Sequence, residues 1–131
     1  MTYLLDSDTL IHFLRGHERI TARMKETDSS TLAVSSISLG ELYYGAFLSE
    51  QASGNLELLD RLRSMMREIP FDGRAAIIFG RLKSDLKASG QLVSDSDLFI
   101  ASTALVHDGI LVTGNAGHFE RIRGLRIEDW G

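Results

Sequence analysis

Apolar residues arrive along this chain in two rhythms. Three short unbroken runs, Tyr3-Leu4-Leu5, Thr31-Leu32-Ala33-Val34 and Ile110-Leu111-Val112, have the length and continuity of strands buried on both faces. Elsewhere the spacing is helical: Leu39, Leu42, Tyr43, Ala46 and Phe47; Leu56, Leu59, Leu62 and Met66; Ala75, Phe79, Leu82 and Leu86; Leu98, Ala101 and Leu105. The first run leads into a short helix carrying Leu10, Ile11, Phe13 and Leu14, capped by Ser7 or Asp8 and ended by Gly16. A more polar helix covers Glu18 to Glu26, until Asp28-Ser29-Ser30 breaks it, and Ser53-Gly54-Asn55 reads as a turn before another helix. Ile69-Pro70-Phe71-Asp72 is interrupted by proline and belongs at a sheet edge, and Leu125-Arg126-Ile127 is a last short strand. Strand alternating with helix predicts an α/β fold of three layers, a mainly parallel central sheet with helices on both sides.

Length and composition narrow the class. At 131 residues and 44% hydrophobic content the chain fits a single domain, residues 1–131, with a core that needs no staples. The absence of cysteine excludes a disulfide framework and thiolate metal sites. No signal peptide and no apolar stretch of membrane-spanning length is visible, so the expectation is a soluble, cytoplasmic protein with no membrane partner. A net charge of -4 argues against a nucleic-acid partner at first sight. The distribution softens that, because residues 61–87 hold seven basic side chains against three acidic ones. Solvated helix faces explain most such basic residues one by one. Carboxylates gathered around a cation would also account for part of the acidic excess.

Four polar positions share one property. Asp6 ends the first strand, Glu41 lies in the first turns after the second, Asp97 begins a helix, and Asn115 follows the Ile110 strand through Thr113-Gly114. In a parallel sheet all four meet at the carboxyl edge, where ligands bind in open α/β folds, although 35, 56 and 18 residues separate them. Each has a bland explanation. Ser38-Leu39-Gly40-Glu41 and Ser94-Asp95-Ser96-Asp97 both fit a capping box, and Thr113-Gly114-Asn115 can be only a turn. Capping does not explain why apolar strands lead repeatedly into such residues on one side. Oxygen donors without His or Cys point to Mg²⁺, with Mn²⁺ able to substitute, and so to phosphoryl chemistry with a metal-activated water. His12, His17, His107 and His118 show no ligand spacing and read as surface or boundary residues. No P-loop and no G-x-S-x-G elbow occurs. Asp6-Ser7-Asp8-Thr9 resembles the Asp-x-Asp-x-Thr of haloacid dehalogenase-like phosphatases, but the Thr comes one residue early.

Taken together, Tyr3-Leu4-Leu5-Asp6-Ser7-Asp8, Ser36-Ile37-Ser38-Leu39-Gly40-Glu41-Leu42, Asp97 to Leu105, and Leu111-Val112-Thr113-Gly114-Asn115 with Phe119 and Trp130 resemble the PIN domain. They are most similar to the VapC-type toxins of toxin-antitoxin pairs. The resemblance implies a PIN-like fold and a Mg²⁺-dependent endoribonuclease inhibited by a VapB-type antitoxin. Its substrate would be RNA, with structured RNA such as tRNA as the family-level expectation, and a homodimer is expected. By the same resemblance Asp6, Glu41 and Asp97 are the metal-binding carboxylates and Thr113 orders the site. Asn115 stands where many members carry a fourth acidic residue. Asp8 is expected to be a helix cap rather than a ligand, and Asp95 to be structural. A non-catalytic PIN-like module that binds RNA or protein, and the phosphatase, remain alternatives on sequence alone.

Overall fold

A computed structural model describes all 131 residues. Five short strands, β1 (Tyr3–Leu5), β2 (Leu32–Ser35), β3 (Arg67–Ile69), β4 (Ile110–Val112) and β5 (Arg126–Glu128), form one sheet in the order β3-β2-β1-β4-β5. Every pairing is parallel, so the expected mainly parallel sheet is wholly so. The helices are α1 (Ser7–Leu14), α2 (Glu18–Glu26), α3 (Ser36–Leu48), α4 (Ala52–Ser64), α5 (Gly73–Ala88), α6 (Asp95–Val106) and the single turn α7 (Ala116–Phe119).

Strand alternation assigns the two layers. Leu5, Val34 and Val112 point to one face and join Leu10, Leu39, Leu42, Leu59, Leu62 and Trp130, which come from α1, α3, α4 and the C-terminal end. Their neighbours Leu4, Ala33 and Leu111 point to the other face, against Leu98, Ala101 and Ala104 of α6, Leu86 of α5 and Phe119. Both faces of the central strands are therefore apolar, which is why their sequences run unbroken.

The last strand lies one residue later than expected, and the boundaries differ from the sequence reading in four further places. Asp6 itself, rather than Ser7 or Asp8, caps α1: its Oδ1 accepts from Thr9 N at 2.9 Å. α3 is capped by Ser35, whose Oγ accepts from Ser38 N at 3.0 Å, so the Ser38–Glu41 capping box does not form. Ser53-Gly54-Asn55 is not a turn but lies in the first turns of α4. The edge strand is β3, which starts two residues earlier than expected and ends before the proline, and Asp72 caps α5 by accepting from Ala75 N. Pro70 falls just beyond β3, where its missing N–H costs the ladder nothing.

Candidate active site

The chain runs β1, β2, β3 outward in one direction and then returns to place β4 on the other side of β1, so the strand order switches between β1 and β4. A crevice forms at the carboxyl ends of such a pair. Asp6 follows β1 directly, and its backbone N–H continues the ladder to Val112 O of β4 at 3.0 Å. Thr9 fastens α1 across the same crevice, donating from Oγ1 to Val112 O at 3.3 Å. Asp6 is thus a buried carboxylate, 6% exposed, with one oxygen bound to a helix N-terminus.

The other expected residues arrive from both layers. Glu41 is the sixth residue of α3, and Asp97 lies in the first turn of α6, where Ser94 Oγ accepts from Asp97 N at 3.2 Å. Glu41 reaches the same turn of α6: the hydroxyl of Ser96, the residue before Asp97, sits 3.4 Å from Glu41 Oε1. Glu41 also reports the company it keeps. Partial desolvation first, and then the negative charges of Asp8, Asp97 and Asp6, push its carboxyl above the ordinary 4.5, while the Ser96 hydroxyl pulls the other way. Asp6, Asp8 and Asp97 all occupy the cap or first turn of a helix, where the peptide dipoles favour anions. Glu41, set deeper into its helix, lacks that compensation.

Thr113 is fully buried immediately after β4, and its Oγ1 accepts from Asn115 N at 3.0 Å. Asn115 does not turn its amide toward Asp6. Its Nδ2 donates to Asp8 Oδ2 at 3.0 Å. Asp8, expected to be only a cap, therefore stands with the site, in the first turn of α1 and exposed. Its charge acts on Glu41 ahead of those of Asp97 and Asp6. His118 was also missed: Nδ1 lies 3.4 Å from Asp97 Oδ2. A lone histidine without ligand spacing gives no signal in sequence; only the fold-back of α7 brings it here. Asp95 pairs with Lys83 of α5, its Oδ1 2.9 Å from Nζ.

The donors are carboxylate, amide and hydroxyl oxygens, the set that suits a hard divalent cation, and their mutual repulsion is what such a cation would relieve. Nowhere do three Asp, Glu or His side chains close into a preformed ligand set. The residues fit an ion that keeps several of its waters, takes one or two carboxylates directly and is held by the others through those waters.

The profile of the PIN domain family matches residues 3–125. The chain belongs to that family. As a PIN domain it is similar to the ribonuclease VapC2 of Rickettsia felis, 33% identical over 132 residues, 99% of this chain and 98% of the relative. It is likewise 33% identical to the tRNA(fMet)-specific endonuclease VapC of Salmonella typhimurium over 99% of this chain and 98% of that one. Among solved structures, the DNA-bound VapBC of Salmonella typhimurium contains a chain with a TM-score of 0.94 and 35% identity, matched over 100% of this PIN domain and 99% of that chain. The phosphatase reading of Asp6-Ser7-Asp8-Thr9 falls with this assignment.

The basic stretch does not serve the site as a block. Arg67 reaches Thr2 Oγ1 at 2.9 Å and Arg74 reaches Val106 O at 3.3 Å, both at the opposite edge of the sheet. Arg61 and Arg63 pair with Glu57 and Glu68. A groove of about 330 Å³ instead leads away from Glu41, between α1, α3 and α4, along Ile11, Leu14, Leu42, Ala46 and Leu58. No helix is long and apolar enough to cross a membrane.

Proposed function

We propose that this PIN domain is the endoribonuclease toxin of a VapBC-type pair, cleaving RNA phosphodiester bonds with Mg²⁺ held by Asp6, Glu41 and Asp97. The observation that carries it is the convergence on one crevice of Asp6 at the cap of α1, Glu41 on α3 and Asp97 in the first turn of α6, close enough that their charges help raise the pKa of Glu41. Bound there, the cation supplies a water of lowered pKa as nucleophile and neutralises charge developing on the phosphodiester. The chain's own residues do the rest. Asp6 is fixed by the α1 N-terminus, Ser96 steadies Glu41, and Thr113 holds the backbone of Asn115. With the carboxylates ionised and the cation absent, the field of the crevice repels RNA phosphates, so substrate binding and metal binding are coupled.

Structured RNA, tRNA in particular, is the substrate this reading favours, supported by the similarity to the tRNA(fMet)-specific endonuclease of Salmonella typhimurium. The inhibitor is a VapB-type antitoxin, placing an apolar segment in the groove that ends at Glu41; Tyr44, Phe47 and Leu48, all exposed on α3, extend the apolar surface beside it. A two-fold dimer in the cytoplasm completes the proposal.

The test is RNA cleavage by purified protein with Mg²⁺, over a pool of total tRNA. Asp6→Asn and Asp97→Asn should abolish cleavage while melting as cooperatively as the parent chain. Full cleavage by both variants would overturn the assignment, and cleavage unaffected by a chelator would remove the metal from it.

A further inference from the structure

We propose that the segment following β4 is a positioning clamp spanning two layers, in which His118 orients the metal-binding Asp97 of α6 and Asn115 holds Asp8 of α1, a neighbouring carboxylate whose charge bears on the same site. This rests on the assignment of Asp97 to the metal site. Asn115 Nδ2 donates to Asp8 Oδ2 at 3.0 Å, and His118 Nδ1 lies 3.4 Å from Asp97 Oδ2. The two partners belong to opposite sides of the sheet, since Leu10 of α1 packs into one core layer and Leu98 of α6 into the other. One short segment therefore spans the crevice and touches both walls.

The segment is built to keep its shape. Thr113 N donates to Glu128 O at 3.0 Å, Thr113 Oγ1 accepts from Asn115 N, and His118 N donates to Asn115 O at 2.9 Å. Phe119, 2% exposed, plugs the end of α7 into the α6 layer beside His118. An exposed histidine and an amide are thus carried on a rigid arm. Donors behind a ligating carboxylate decide which oxygen faces the ion, and losing one typically weakens metal binding about ten- to hundredfold. On this assignment Asn115 is not a substitute ligand for the acid that many family members carry there. It spends its amide on Asp8, keeping that extra negative charge turned in one direction beside Glu41.

The experiment measures Mg²⁺ and Mn²⁺ binding by calorimetry without RNA, together with kcat and KM for RNA cleavage, in Asn115→Ala, His118→Ala, His118→Asn and Asp97→Asn. His118→Asn keeps an N–H donor where the imidazole Nδ1 stood. The clamp predicts roughly tenfold weaker metal binding for each alanine variant, lower kcat with KM for RNA little changed, and recovery of most of the loss in His118→Asn. Metal binding unchanged in both alanine variants, while Asp97→Asn loses it, overturns the clamp and leaves the site standing. Normal metal binding by Asp97→Asn overturns the site itself. A raised KM with unchanged metal affinity in His118→Ala makes His118 an RNA contact instead, and a large drop in melting temperature in chelator makes either residue merely structural; both outcomes overturn the proposal.

Discussion

Asp6 does two jobs with one carboxylate, and they can be separated. Its Oδ1 caps α1, and its charge belongs to the crevice. Asn caps a helix about as well as Asp, whereas Ala loses the cap at a cost of about 1 kcal/mol. Asp6→Asn should therefore lose cleavage at nearly parental stability, while Asp6→Ala loses cleavage and about 1 kcal/mol more, read from urea unfolding. Glu41 gives a second test at this scale. Because its carboxyl is held above the ordinary range by desolvation and by neighbouring carboxylates, folding favours its protonated form. The stability that form contributes is fully present below pH 4.5, the ordinary value, and is lost as pH rises through the folded value. In chelator at pH 7, Glu41→Gln should then melt higher than the parent chain, and the difference should vanish on acidification below the ordinary glutamate range. A variant that melts lower at pH 7 would contradict the repulsion.

At the scale of elements, most of the architecture was legible because the strands announce themselves. Leu4-Leu5, Ala33-Val34 and Leu111-Val112 alternate between two covered faces, and only a doubly wrapped parallel sheet needs such unbroken apolar runs. Caps were the weak point. Ser35-Ser36-Ile37-Ser38 offers three hydroxyls that can each start a helix, and sequence does not say which backbone leaves the strand first. Because Ser35 takes the cap, Glu41 is freed from the capping box that competed for it. Ser35→Ala should accordingly cost about 1 kcal/mol, within the range of roughly 0.5 to 2 for lost caps, measured by thermal or urea unfolding. If Ser38 were the cap instead, Ser38→Ala would be the destabilising change and Ser35→Ala nearly neutral. Phe47 escaped for a related reason. α3 carries apolar side chains on most of its circumference, so helical spacing alone did not show that Tyr44, Phe47 and Leu48 face outward while Leu39, Leu42 and Ala46 are buried. Asp8 and His118 were illegible as site residues because each joins the crevice only through a contact made by the fold, to Asn115 and to Asp97.

Four of the eighteen acidic side chains, Asp6, Asp8, Glu41 and Asp97, gather where a cation can answer them. Arg67 and Arg74 lie at the far edge of the sheet and several other basic residues are paired locally, so the crevice at the carboxyl edge is left to carboxylates drawn from α1, α3 and α6. Such a molecule should be more stable with its metal than without it. A ligand that binds only the folded chain stabilises it by about 2.7 kcal/mol at a hundred times its dissociation constant. For a domain of 131 residues that corresponds to a rise in melting temperature of roughly 10 °C. Titrating Mg²⁺ into chelator-treated protein while following thermal unfolding should show this rise, saturating with the calorimetric affinity and reversing in excess chelator. Asp97→Asn should flatten the response, because the crevice then lacks a ligand as well as a charge. Glu41→Gln should start from a higher melting temperature and gain less. Screening by salt also relieves the repulsion and also favours the parent chain, so the deciding control is NaCl at equal ionic strength: a specific metal site predicts that it does not reproduce the rise, and an equal rise in NaCl overturns the site.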